Sequence, residues 1–238
     1  MKLIKKNSEN QSRKTRQKKD IDYVIFHYTG MQSTIESLNR LTKKRHKVSA
    51  HYLIDRSGKI FQLVDDLRVA WHAGKSKWKN TTNLNKFSIG IELQNKGHDQ
   101  NYQKFSKIQI RELIKLSLIL KKKYNIKKRN FLGHSDIAPL RKIDPGEKFP
   151  WSYLSSKGIG IWYKNLNLKT FKKNDGDLRP LFFKGLKKIG YRYFSLTKKK
   201  NSDYKIIKAF QRKFTPNNIS GKIDRKTLKI SEFLSKIQ

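Results

Sequence analysis

Two short apolar runs in this chain each deliver a histidine at their far end. Residues 23–30 read YVIFHYTG and residues 130–136 read NFLGHSD. The β-branched and aromatic run YVIF predicts a buried strand and the shorter FLG a second one, and side chains at such a strand's end emerge at a sheet edge, where clefts form. A third run, FSIGIEL at 87–93, puts Ser88, Gly90 and Glu92 on one face by alternation and Ile89, Ile91 and Leu93 on the other. Between the second and third of these runs, Ser106 and Gln109 form an S-x-x-Q capping box, followed by Ile110, Leu113, Ile114, Ser117 and Leu118 at helical spacing. The helix runs to about Tyr124. A hairpin is expected at HYLID–RSGK–IFQLV, turning at Ser57-Gly58. Residues 33–45 read as a weakly patterned helix, 75–86 as a loop, and PWSYLSSKGIG as a short closing helix. Strands interleaved with helices predict an α/β fold, with a mixed central β-sheet flanked by helices.

The domain plan follows from where this pattern stops. Residues 1–20 are basic and nearly free of apolar residues, which predicts a flexible N-terminus. The α/β region spans 21–163, residues 164–177 read as a linker, and 178–238 form a small C-terminal domain of three helices at about 178–189, 203–214 and 224–236. In the second of these helices Ile207, Phe210, Gln211 and Phe214 share a face, and Asp224 is the expected N-cap of the third.

Composition removes several chemistries. With no cysteine among 238 residues, disulfides, thiolate metal sites and thiol nucleophiles are excluded. The N-terminus lacks the apolar core of roughly 7–15 residues that a secretory signal needs. No stretch approaches the roughly 18 apolar residues of a membrane span. These features read as a soluble, cytoplasmic chain. The formal net charge of +38 fits nucleic acid, anionic lipid or an acidic polymer as partner, or equally a lysine-rich coding bias, because the charge is spread along the whole chain.

Six histidines are available for metal or acid–base chemistry. His46 in KKRHK reads as surface, His98 as loop, and His51 at a strand start as structural. His27 and His134 occupy the strand ends described above, and Asp144 sits in a loop fixed by Pro145 and Gly146. Two neutral imidazoles and one carboxylate hold a zinc ion with a fourth position left for water. Glu92, beside the small Ser88 and Gly90, is a candidate general base for amide hydrolysis. Lys142 would point the same way as Asp144 in an extended loop, as would a cation stabilising an oxyanion. Spacing alone leaves the alternatives open, since either residue suits an ordinary salt bridge.

The ordered set VIFHYTG, SAHYLID, GKIFQLV, AWHAG, LNKFSIGIEL, FLGHSDIAPLRKIDPG and FPW resembles the type 2 N-acetylmuramoyl-L-alanine amidases, zinc enzymes related to the anhydro-muropeptide amidases and to peptidoglycan recognition proteins. The likeness covers about residues 21–163. It implies one zinc per chain on His27, His134 and Asp144, catalytic roles for Glu92 and Lys142, and substrate contacts from Trp71, His72 and Asn85. The implied reaction is hydrolysis of the amide between N-acetylmuramic acid, or its 1,6-anhydro form, and L-alanine, in cell-wall remodelling or recycling. The partner is then peptidoglycan or an anhydro-muropeptide, with no obligatory protein partner and no nucleic acid. The alternative is a non-catalytic recognition protein of the same fold, although such proteins usually lose a zinc ligand. Asn83 stands where many members carry an arginine for a stem-peptide carboxylate, with Lys79 nearby, and Lys86 replaces a common aspartate. The AFQRKF run and the Gly221, Asp224, Thr227 pattern resemble a peptidoglycan-binding domain, against a plain helical cap. A wall-binding module would suit the periplasm or envelope as the alternative location.

Overall fold

The computed structural model describes residues 2–164, 166 and 176–237. In chain order the strands are β1 (Leu3–Lys5), β2 (Gln11–Thr15) and β3 (Tyr23–Tyr28), then helix α1 (Thr34–Thr42). Strands β4 (Tyr52–Ile54), β5 (Ile60–Gln62), β6 (Arg68–Ala70), β7 (Lys77–Trp78), β8 (Thr81–Thr82) and β9 (Ser88–Leu93) come next. The chain continues through α2 (Lys107–Lys123), β10 (Phe131–Gly133), α3 (His134–Ile137) and α4 (Trp151–Ser156). Helices α5 (Arg179–Ile189), α6 (Asp203–Phe214) and α7 (Arg225–Lys236) complete it.

The principal sheet has six strands in the order β1-β5-β4-β9-β3-β10. The four strands from β4 to β10 are parallel, while β5 runs antiparallel to β4, so the sheet is mixed as the sequence pattern implied. Alternation sorts its two faces. Val24, Phe26, Ile89, Ile91 and Leu93 pack on Ile110, Leu113, Leu116 and Leu120 of α2. Tyr23, Ile25 and Leu132 pack instead with Phe182, Phe183, Phe210 and Phe214 of α5 and α6. The C-terminal helices therefore cover the second face of the sheet and share its core. Truncating one of those buried phenylalanines to alanine costs about 3–5 kcal/mol by loss of contacts and a cavity.

Three expectations need correction. The first twenty residues are not a free tail: β1 pairs with β5 at the sheet edge, β2 pairs with β6, and Ser8 and Asn10 are buried. Arg16 anchors this arm by donating to the carbonyls of Asp66, Asn85 and Lys86. Residues 75–86 are not plain loop, because β7 and β8 form a small hairpin within them. The capping box of α2 is half made. Ser106 Oγ accepts from Gln109 N–H at 3.1 Å, but the Gln109 side chain donates to the carbonyls of Ile54 and Gln94, tying the helix to the sheet. The expected linker at 164–177 lies largely outside the described residues.

Candidate metal centre and catalytic cleft

Ligands of parallel sheets collect at the carboxyl ends of the strands, and the candidate residues here do the same. His27 is near the end of β3, its register partner Glu92 is near the end of β9, and His134 follows β10 directly. Asp144 returns to this edge because Ser135 N–H donates to its carbonyl at 2.9 Å. The Asp144–Pro145 peptide is cis. Gly133 permits the close approach, since a Cβ there would lie 2.7 Å from Pro145 Cδ.

Three ligand atoms converge. His27 Nδ1 and His134 Nδ1 are 3.0 Å apart, and each is 3.1 Å from Asp144 Oδ2. A tetrahedral zinc with bonds of about 2.0–2.1 Å needs ligand atoms roughly 3.3 Å apart, close to this triangle. His134 Nε2 lies 3.1 Å from the Ala73 carbonyl, which can only accept. The proton of a neutral His134 therefore sits on Nε2, and its Nδ1 presents a lone pair to the other two atoms. An acceptor trio at this spacing, buried, suits a divalent cation.

Electrostatics distinguishes the acids. Burial raises Glu92, and the Asp144 charge raises it further against the opposing Lys142, so the carboxyl is pushed up to about 8. Its Oε2 is buried with no hydrogen-bond partner among the described residues. For Asp144, burial opposes ionisation, but His134 and His27 outweigh it and hold the carboxyl well below the usual range. His27 is lowered to about 4, first by burial and then by His134.

These groups line a cleft of about 470 Å³ together with His72, Arg40, Arg141 and Lys142. Of the residues expected to touch substrate, His72 alone is on the cleft wall. Trp71 is 38% exposed and outside the lining, and Asn85 is committed elsewhere, its Oδ1 accepting from the backbone N–H groups of His72 and Ala73 at 3.0 and 2.7 Å. Neither Asn83 nor Lys79 reaches this lining. The cations that do are Arg40, Arg141 and Lys142; sequence reasoning missed the first two because they are two of many basic residues. Arg141 is also tied to the ligand turn, donating to the carbonyls of Ala73 and Lys75. His51 is structural: its Nδ1 accepts from Gly90 N–H, and its Nε2 faces the Arg68 carbonyl. His98 bridges Tyr28 and Glu147.

The mixed sheet thus gathers, at and beside the ends of its parallel strands, a buried His/His/Asp group that could hold a metal ion. Residues 17–147 match the N-acetylmuramoyl-L-alanine amidase family model. The chain is 36% identical over 229 residues to the N-acetylmuramoyl-L-alanine amidase AmiD of Escherichia coli, covering 90% of this chain and 82% of that one. It is 46% identical over 112 residues to the 1,6-anhydro-N-acetylmuramyl-L-alanine amidase AmpD of Haemophilus influenzae, covering 46% of this chain and 59% of that one. AmiD in complex with the substrate anhydro-N-acetylmuramic acid-L-Ala-D-γ-Glu-L-Lys superimposes with a TM-score of 0.82 at 33% identity, over 96% of this chain and 93% of that one. AmpDh3 of Pseudomonas aeruginosa, complexed with anhydromuramic pentapeptide, gives 0.81 at 30% identity over 98% of both chains. The chain belongs to the N-acetylmuramoyl-L-alanine amidase family.

Proposed function

We propose that the chain hydrolyses the amide between the lactyl carbonyl of N-acetylmuramic acid, or its 1,6-anhydro form, and L-alanine. The observation that carries this reading is the pairing of the His27–His134–Asp144 triangle with the unpartnered Glu92 Oε2 in one cleft. His27, His134 and Asp144 would hold a zinc ion, which would supply Lewis acidity toward the carbonyl and lower the pKa of water toward neutrality. Glu92 accepts the proton of the attacking water and returns it to the leaving amine nitrogen, which departs as the free α-amino group of the peptide. A nearby divalent charge favours the carboxylate form of Glu92 over the neutral form that burial favours. Lys142, on the cleft wall, supplies positive charge to the oxyanion of the tetrahedral intermediate. Arg40 and Arg141 offer the stem peptide's carboxylates the positive charge that Asn83 does not.

Both whole-length neighbours were captured with anhydromuramyl peptides, which supports a muropeptide substrate for this chain. A recognition protein without turnover is not favoured, because the ligand set and Glu92 are all in place. The test is release of the stem peptide from anhydro-muropeptide and from intact peptidoglycan, with and without a chelator. Binding without release would support the recognition reading.

The C-terminal helices are proposed to bind wall glycan in addition to covering the sheet; sedimentation of the whole chain with insoluble peptidoglycan tests that. A cytoplasmic location is proposed to accompany soluble muropeptide as substrate, and the periplasm or envelope to accompany intact wall; cell fractionation separates them. Among the described residues no helix is long and apolar enough to cross a membrane.

A further inference from the structure

We propose that Ser88 and His72 form a hydrogen-bond relay that fixes the ring orientation and tautomer of His27. They act as positioning residues for a ligand they do not replace. The inference rests on reading His27, His134 and Asp144 as the metal site.

The relay can be deduced from one fixed acceptor. Ser88 Oγ lies 2.6 Å from the Leu84 carbonyl, which has no hydrogen to give, so the serine hydroxyl donates there. That uses its only proton. Its second contact, 3.2 Å to His72 Nε2, can then exist only with His72 donating. A neutral imidazole carries one N–H, so His72 Nδ1 is a bare acceptor. That atom is 3.0 Å from His27 Nε2, which must donate to it. His27 Nδ1 is thereby left as a lone pair, aimed at His134 Nδ1 and Asp144 Oδ2. Each step follows from the previous one, and reversing any proton leaves two donors or two acceptors facing each other.

Packing holds the relay in place. His72 is 6% exposed, and its ring meets that of His27 edge-on at 84°. A Cβ on Gly90 would lie 2.4 Å from His72 Cγ, so only glycine leaves room for this ring against the strand. His72 is kept over Gly90 by Asn85, whose side chain holds its backbone N–H at 3.0 Å. One face of β9 thus performs three tasks at alternate positions. Ser88 sets the proton order, Gly90 makes space, and Glu92 presents its carboxyl to the cleft.

The two ligands are therefore oriented differently. His134 uses a backbone carbonyl, which no side-chain substitution removes, whereas His27 depends on two side chains. Loss of such partners typically lowers metal affinity about 10–100-fold. His72→Leu should weaken zinc, read by chelator competition, within that range. His72→Asn should recover most of the affinity, because its Oδ1 can stand where Nδ1 stood and accept from His27. Ser88→Ala should give a smaller loss, since it frees His72 without removing it. Nitrogen NMR of the zinc-loaded wild type supplies a readout independent of any variant's folding. His72 should be protonated on Nε2 and bare on Nδ1, with an exchange-protected His27 Nε2–H. Protonation of His72 on Nδ1 overturns the relay, as does an unchanged zinc constant in His72→Leu. If the wild type binds no zinc, the metal reading fails instead, and the His72 tautomer in that protein still decides the relay.

Discussion

Asp136 in α3 and Asp144 in the turn that follows are both buried, and they are built for opposite purposes. Asp136 is saturated by the protein. Its Oδ2 accepts from Gly133 N–H at 2.8 Å and from Lys213 Nζ at 2.6 Å, and its Oδ1 accepts from the Tyr191 hydroxyl. Two of those donors come from the C-terminal helical layer, so this carboxylate locks that layer to the turn bearing His134. Asp144 instead presents Oδ2 to two imidazole nitrogens, at least one of which has its proton on the far side of the ring. A third acid, Asp66, resembles Asp136, with Tyr52, Tyr124 and Lys123 as donors. Buried acids whose donors come from the protein hold the fold, and the acid facing other acceptors is reserved for a cation.

The largest expected effects break the functional side of this contrast. Asp144→Asn should lower zinc affinity and muropeptide hydrolysis about 100-fold or more while the metal-free protein stays folded, as read by chelator competition and thermal melting. Glu92→Gln should lower kcat about 10²–10⁴-fold with zinc stoichiometry unchanged, which separates the base from the ligands. On the structural side, Asp136→Asn leaves Lys213 as a buried cation without its counter-ion. It should cost about 3–5 kcal/mol in denaturant unfolding. An Asp136→Asn protein as stable as wild type would remove the distinction.

The pH dependence of the metal-free protein sharpens it further. Glu92 is raised from an ordinary 4.5 to about 8, so the folded state holds a proton there that the unfolded state has lost. Stability from this group is greatest below about pH 4.5, declines as pH rises toward 8 and is level above that. Glu92→Gln should flatten that decline in denaturant titrations at several pH values. The smallest effect is expected at Asp66: Tyr124→Phe removes one of three donors and should cost about 1 kcal/mol.

Much of the site was legible because its residues end apolar runs. His27 and Glu92 lie near the ends of strands whose alternation sets the face they occupy. What stayed hidden has two physical sources. The edge strands LIK and QSRKT are too short and too polar for periodicity to reveal, and they owe their order to partners distant in the chain, at Ile60–Gln62 and Arg68–Ala70, rather than to local propensity. The relay through Ser88 and His72 is likewise a tertiary event, visible only once β9 and the 71–73 segment are face to face. The role of Lys213 depends on burial against Asp136, which no sequence spacing announces in a chain with this much lysine.

The most direct test of the account is mass analysis of the products from a 1,6-anhydro-muropeptide, using protein stripped of metal and then titrated with zinc. Cleavage between the lactyl carbonyl and L-alanine should cease on stripping and return with one zinc per chain. Undiminished cleavage by the fully stripped protein would contradict the assignment of His27, His134 and Asp144 as the centre of the chemistry.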